Sequence, residues 1–200
     1  MRYKIPMDWT QRTHWIFDMD GTLTVPAHDF AKARTFLGIG EEEDILTAIA
    51  QRPADVREKD LAWLEAWEAE VVERSQPQRD AQALLEALRK RGCHLGVLTR
   101  NTRAAAFRTL QVCNFLEFFE PSVILGREDA VPKPHPAGIQ MLLEQWGATP
   151  DQAVMVGDYV HDSRAGQAAG VLTILVDREG SQNWAGEADF LVQGLYPLPK

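Results

Sequence analysis

Two aspartates spaced two apart, Asp18 and Asp20, follow the apolar run His14-Trp15-Ile16-Phe17 and precede Gly21 and Thr22. Carboxylates at that spacing suit a hard metal ion, and a glycine lets backbone N–H groups approach a ligand closely. Carboxylates alone would repel a phosphate, so the pair calls for a cation and for basic residues further along. These follow in chain order: Thr99 with Arg100 and Asn101, then Lys133 between two prolines, then Asp158 with Asp162 one helical turn later. Phosphoryl transfer asks for this kind of set, because it needs charge neutralisation, in-line positioning and a nucleophile. An aspartate can be the nucleophile, and a second carboxylate can protonate the leaving alcohol and later deprotonate water. A lysine and backbone N–H groups take up the remaining negative charge.

Such a set has to be brought together by the elements that carry it. Hydrophobic periodicity predicts strands at 14–18, 94–99, about 122–125, 153–157 and 172–176, with a short edge strand at 189–192. Helices are predicted at 30–37, 41–50, 53–74, 77–91, 102–112, 136–146 and 159–169. Short apolar strands alternating with helices imply a Rossmann-like α/β three-layer sandwich with a mostly parallel sheet. The helical stretch after the first strand is too long for an ordinary connection. It reads as a small α-helical cap, residues 23–76, inserted into a core made of 1–22 and 77–200. In such sheets ligands bind at the carboxyl ends of the strands, where Asp18, Thr99 and Asp158 all fall.

The bulk properties agree with that picture. Two hundred residues with 45% hydrophobic and 25% charged content fit one domain carrying an insert. A formal net charge of −8 argues against nucleic acid or an anionic membrane as partner, without excluding a small anion held by local cations. Cys93 and Cys113 form no ligand spacing or disulfide framework. Together with the absence of a signal-like or membrane-length apolar run, they point to a cytoplasmic chain with reduced thiols.

The motifs Asp18-Met19-Asp20-Gly21-Thr22, Thr99, Lys133 and Gly157-Asp158-Tyr159-Val160-His161-Asp162 together resemble the four ordered signatures of the haloacid dehalogenase-like (HAD) hydrolase superfamily. The insert lies where its helical-cap subclass, which includes phosphoglycolate phosphatases and β-phosphoglucomutases, carries the cap. The resemblance implies that Asp18 is the nucleophile and a Mg²⁺ ligand. Asp20 would be the general acid/base and lend the metal a backbone carbonyl. Thr99 and Lys133 would bind the substrate phosphate, Lys133 also orienting Asp18. Asp158 would be a direct metal ligand, and Asp162 would support it through water or by pairing with Lys133. Dehalogenases of the superfamily generally lack the second aspartate, so Asp20 favours a phosphate ester over a haloacid.

The implied activity is a Mg²⁺-dependent phosphatase acting on a small phosphorylated metabolite through an aspartyl-phosphate. A phosphomutase of the β-phosphoglucomutase type would use the same residues, and a non-catalytic binding protein would keep the fold without turnover. A phosphonatase would need a Schiff-base lysine from the cap, where Lys32 and Lys59 are the candidates. Arg100 reads either as a contact to the substrate phosphate or leaving group, or as a salt bridge towards the cap. His28, at the crossing into the cap, is a candidate substrate contact. Asn101 reads as a helix cap, Trp63 and Trp67 as packing between cap helices, and Glu41 to Asp44 as a helix N-terminus. After Leu23 the chain departs from many relatives, reading Thr24-Val25-Pro26-Ala27-His28-Asp29, so no specific substrate carries over.

Overall fold

The computed structural model describes residues 9–27, 29–41, 43–181, 184 and 186–196. Strand β1 (His14–Phe17) is buried along its whole length, which requires neighbours on both edges and cover on both faces. Parallel strands β2 (His94–Leu98) and β4 (Ala153–Gly157) flank it. Beyond them lie β3 (Ile124–Leu125) on one side and β5 (Leu172–Val176) and β6 (Phe190–Val192) on the other. The sheet order is β3-β2-β1-β4-β5-β6, parallel throughout.

Alternation along the strands builds two cores. Trp15 and Phe17 join Val97, Val154 and Val156 on one face, while Ile16 joins Leu98 and Met155 on the other. Helices α4 (Ala81–Lys90) and α5 (Arg103–Val112) cover the first face through Leu84, Leu85, Leu88 and Leu110. Helices α6 (Ala137–Trp146) and α7 (Val160–Ala169) cover the second through Ile139, Leu142 and Ala165. The result is the three-layer α/β sandwich expected from the strand–helix alternation.

Three helices intervene between β1 and α4: α1 (Phe30–Leu37), α2 (Ile45–Ala50) and α3 (Ala54–Val72). They enclose an apolar cluster of their own that includes Ala33, Leu37, Ile45, Ile49 and Leu64. Trp63 and Trp67 are half-buried against that cluster and stack in a row with Phe36, ring centroids 6.0 and 4.1 Å apart. The chain leaves the sheet and returns to it along adjacent stretches. Val25 N–H donates to Gln76 O at 2.8 Å, and Gln78 N–H to Leu23 O at 2.9 Å.

Two helices start later than periodicity suggested, each for a local reason. α2 begins at Ile45 because the Asp44 carboxylate accepts from Thr47 N–H at 2.9 Å and caps it. Glu41 and Glu43 therefore precede the helix, and Glu42 lies outside the described residues. α4 begins at Ala81 because residues 76–78 are taken up in pairing with residues 23–25. Cys93 and Cys113 are free thiols. Among the described residues no helix is long and apolar enough to cross a membrane.

Candidate active site

The register of the sheet brings the first two motifs and the last to one rim. Phe17 lies beside Val97 and Val156, so the chain segments after β1, β2 and β4 emerge at nearly the same height. Asp18 continues the sheet pairing through its N–H to Val156 O at 2.8 Å, and its side chain then projects beyond the last rung. Thr99 is anchored the same way, its N–H donating to Leu125 O at 3.0 Å.

The turn after Asp18 is tightly made. Leu23 and Thr24 both donate their N–H groups to Met19 O at 2.9 Å, and Gly21 N–H donates to Thr24 O at 2.9 Å. Gly21 has φ +84°, and a Cβ there would lie 2.0 Å from Asp158 Oδ2. Glycine is required on both counts. Thr22 Oγ1 donates to Asp158 Oδ1 at 3.3 Å, a contact that sequence reading did not anticipate. Gly157 plays the matching part on β4, because a Cβ would sit 2.2 Å from Asp162 Cγ.

Lys133 ties the constellation together. Its side chain is 1% exposed and its ammonium lies 2.6 Å from Asp18 Oδ1 and 2.7 Å from Asp162 Oδ1. Asp162 also accepts from Tyr159 N–H at 3.1 Å, which holds it in the first turn of α7. Asp18, Asp158 and Asp162 each place one carboxylate oxygen within 4.8 Å of the others. Three acids therefore share one ammonium in a poorly solvated place. Burial, with help from Asp162 and Asp158, pushes the Asp18 carboxyl well above its ordinary range despite Lys133. Burial and Asp162 push Asp158 up to about 7. Burial alone would lower the Lys133 ammonium, but Asp162 and Asp18 outweigh it and raise it.

Asp20 stands apart from that cluster. Its Oδ2 accepts from Asn101 Nδ2 at 2.7 Å. This corrects the expectation that Asn101 caps the following helix. Thr102 does so instead, its side chain accepting from Ala105 N–H at 3.2 Å. The signal that could have pointed to Asn101 was its place beside Thr99 on the rim; Thr102, a good cap in its own right, left the amide available. Thr99 Oγ1 accepts from Asn101 N–H at 3.1 Å.

The helical insert closes over this rim. Arg100 reaches it as the salt bridge weighed from sequence, its guanidinium 2.6 Å from Asp44 Oδ2 and bonded also to His161 Nδ1. A second, more buried pair was not read from sequence. Glu68 on α3 holds Arg127, which follows β3, at 2.5 and 2.7 Å. Between insert and rim lies a cavity of about 520 Å³, lined by Asp18, Asp20, Thr99 and Lys133 below and by Phe30 and Leu64 above. Arg52 and Arg57 do not line it; Arg52 pairs with Asp60 and Arg57 reaches Ala50 O. His28 lies outside the described residues.

The model of the haloacid dehalogenase-like hydrolase family matches residues 14–170, the stretch that carries every motif of the rim. The chain belongs to that family. A haloacid dehalogenase-like hydrolase domain-containing protein of Arabidopsis thaliana is 34% identical over 194 residues, covering 91% of this chain and 76% of the plant protein. The pyrophosphatase PpaX of Bacillus pumilus is 41% identical over 90 residues, 44% of this chain and 41% of that enzyme. Among solved structures, a HAD phosphatase from Thermococcus onnurineus superposes with a TM-score of 0.68 at 25% identity, covering 92% of this chain and 94% of that one. The HAD-like chain is thus a hydrolase by family, with the fold of its solved relatives.

Proposed function

We propose that this HAD-like hydrolase is a Mg²⁺-dependent phosphatase that transfers the phosphoryl group of a small phosphorylated metabolite to Asp18 and then to water. The observation that carries the reading is the different setting of two neighbouring carboxylates. Asp18 is clamped by Lys133 among acids, whereas Asp20 lies outside that cluster and accepts from the Asn101 amide. Those settings support a reading in which one attacks and the other transfers a proton.

The acid cluster fits a hard divalent cation, because three close carboxylates with one ammonium leave excess negative charge among oxygen donors. Asp18, Asp158 and the Asp20 backbone carbonyl would hold Mg²⁺, with Asp162 in support. When bound, the ion supplies charge neutralisation that lets a phosphate approach a carboxylate. The chain's own groups do the rest. Lys133 keeps the Asp18 carboxylate oriented and neutralises phosphate charge, and Thr99 offers its hydroxyl to a phosphate oxygen. Asp18 attacks phosphorus while Asp20 gives its proton to the leaving oxygen; Asp20 then takes a proton from the water that hydrolyses the aspartyl-phosphate.

The insert, residues 23–76, serves as the cap that admits substrate and shuts out bulk water during transfer. The activities for which two similar proteins are named, phosphatase and pyrophosphatase, support phosphoryl chemistry. Among the described residues Lys133 is the lysine of the cavity, and Lys32 and Lys59 lie away from it, which favours hydrolysis over a Schiff-base route. Two free thiols suit a reducing compartment such as the cytoplasm.

The test is hydrolysis of p-nitrophenyl phosphate and of a panel of phosphorylated metabolites, with Mg²⁺ and with chelator, by wild type and Asp18→Asn. Wild type should turn over only with the metal, and the variant should keep its fold and lose turnover. Hydrolysis retained by Asp18→Asn would overturn the nucleophile assignment. Stimulation by a sugar bisphosphate, with phosphate returned to a sugar, would mark a mutase.

A further inference from the structure

Asn101 has every polar group of its backbone and one of its side-chain donors committed. Its N–H donates to Thr99 Oγ1 at 3.1 Å, and its carbonyl accepts from Arg127 N–H at 2.9 Å. The residue is 6% exposed, and its amide reaches across to Asp20 Oδ2 at 2.7 Å. Both backbone ends are therefore braced, which fixes the point from which the buried amide reaches the carboxylate. The brace extends into the helical insert. Arg127 also donates to Arg100 O at 3.4 Å and is paired with buried Glu68 on α3.

From this geometry we propose that Asn101 is a positioning residue for proton transfer by Asp20, acting only through that carboxylate. The inference rests on the reading of Asp20 as the general acid/base. The choice of an amide has a chemical reason. A carboxylate that must cycle between protonated and ionised forms is poorly served by an adjacent lysine or arginine, which would hold it ionised, and a second acid would oppose its ionisation. An amide N–H fixes the direction of the carboxyl group and adds no charge.

The two half-reactions then balance. As the Asp18–phosphorus bond forms and the ester P–O bond breaks, the Asp20 proton passes to the leaving oxygen, releasing a neutral alcohol. As water oxygen bonds to phosphorus and the Asp18–phosphorus bond breaks, a water proton passes to the Asp20 carboxylate and restores the acid. Misplacing Asp20 should slow the first step in proportion to how much the leaving oxygen needs a proton. An amide that merely held the loop in shape would slow all substrates alike.

The experiment compares kcat/KM, which reports the first half-reaction, for phenyl phosphate and 2,4-dinitrophenyl phosphate in the presence of Mg²⁺. The phenolate leaving group needs protonation and the dinitrophenolate does not. Asn101→Ala should lower the phenyl phosphate value by about 10- to 100-fold while the dinitrophenyl value stays within about threefold, a fraction of what general acid catalysis supplies. Asp20→Asn should separate the two substrates in the same direction and further. Equal losses on both substrates, or none, in Asn101→Ala while Asp20→Asn separates them would overturn the positioning role and leave the mechanism standing. No separation in Asp20→Asn would instead overturn the acid/base reading on which the role depends. Should Asn101→Ala fail to unfold cooperatively, the similarly sized Asn101→Leu, which lacks the donor and adds no charge, is judged by the same criteria.

Discussion

Replacing Lys133 by methionine keeps most of the side chain's length and removes its charge. In the wild type the ammonium sits 2.6 Å from Asp18 and 2.7 Å from Asp162, with side-chain exposures of 1%, 13% and 4% for Lys133, Asp18 and Asp162. The variant would strand both carboxylates beside Asp158, where repulsion among the three acids goes unopposed. Removing one member of a buried pair costs about 3–5 kcal/mol, because the remaining charge is left uncompensated rather than simply losing a contact. For a chain of this size that corresponds to a fall in melting temperature of about 6–20 °C. The second expectation is a coupling: adding Asp162→Asn to Lys133→Met should recover part of the loss, an interaction of about 0.5–3 kcal/mol, since it removes one stranded charge. The assay is thermal unfolding at neutral pH with chelator, on wild type, both single variants and the double variant. A melting temperature of Lys133→Met equal to wild type, or strict additivity in the double variant, would refute the account of Lys133 as the shared counter-ion. With Mg²⁺ and p-nitrophenyl phosphate, Lys133→Met should also lose about 10²–10³ in kcat, the usual effect of deleting a preorganised charge-stabilising group.

Gly21→Ala should push Asp158 aside, because the new Cβ would fall 2.0 Å from Oδ2 at φ +84°; the Mg²⁺ concentration for half-maximal activity should rise by about 10- to 100-fold, and an unchanged activation curve would contradict the geometry. The Asp44–Arg100 bridge carries a pH signature. Burial alone would raise the Asp44 carboxyl, but Arg100 and the Thr47 bonds outweigh it and hold it below its ordinary 3.8. A depressed carboxyl contributes stability above its ordinary value and loses it as pH falls through the folded-state value. Asp44→Asn should therefore flatten the acid limb of stability below about pH 4, read as urea midpoints against pH; parallel limbs in variant and wild type would count against the bridge.

The parts of this protein legible in its sequence were those written in local pattern. Apolar runs marked the strands, and a polar residue directly after each run marked the rim, so Asp18, Thr99 and Asp158 were placed by the rule that side chains beyond a parallel strand's carboxyl end face the ligand. Lys133, between Pro132 and Pro134 on a loop, was found by the need for a cation, and Asp162 by its helical offset from Asp158. Helix starts were less legible, since Asp44 as a cap and the pairing of residues 23–25 with 76–78 act against periodicity. What only the tertiary structure decided were the pairings between distant segments. Asn101 had to be brought to Asp20, 81 residues away in sequence, and Glu68 to Arg127, 59 residues away. Arg100 met Asp44 from 56 residues away, a tie between the helical insert and the rim at a residue that also lines the cavity. Periodicity reports which face a residue occupies, but the partner on the opposing face depends on how the separate layers dock. The types and order of residues at the rim therefore implied phosphoryl chemistry, with separate roles for Asp18 and Asp20, from sequence alone, whereas the Asn101 amide at Asp20 and the Glu68–Arg127 pair came only from how the layers dock.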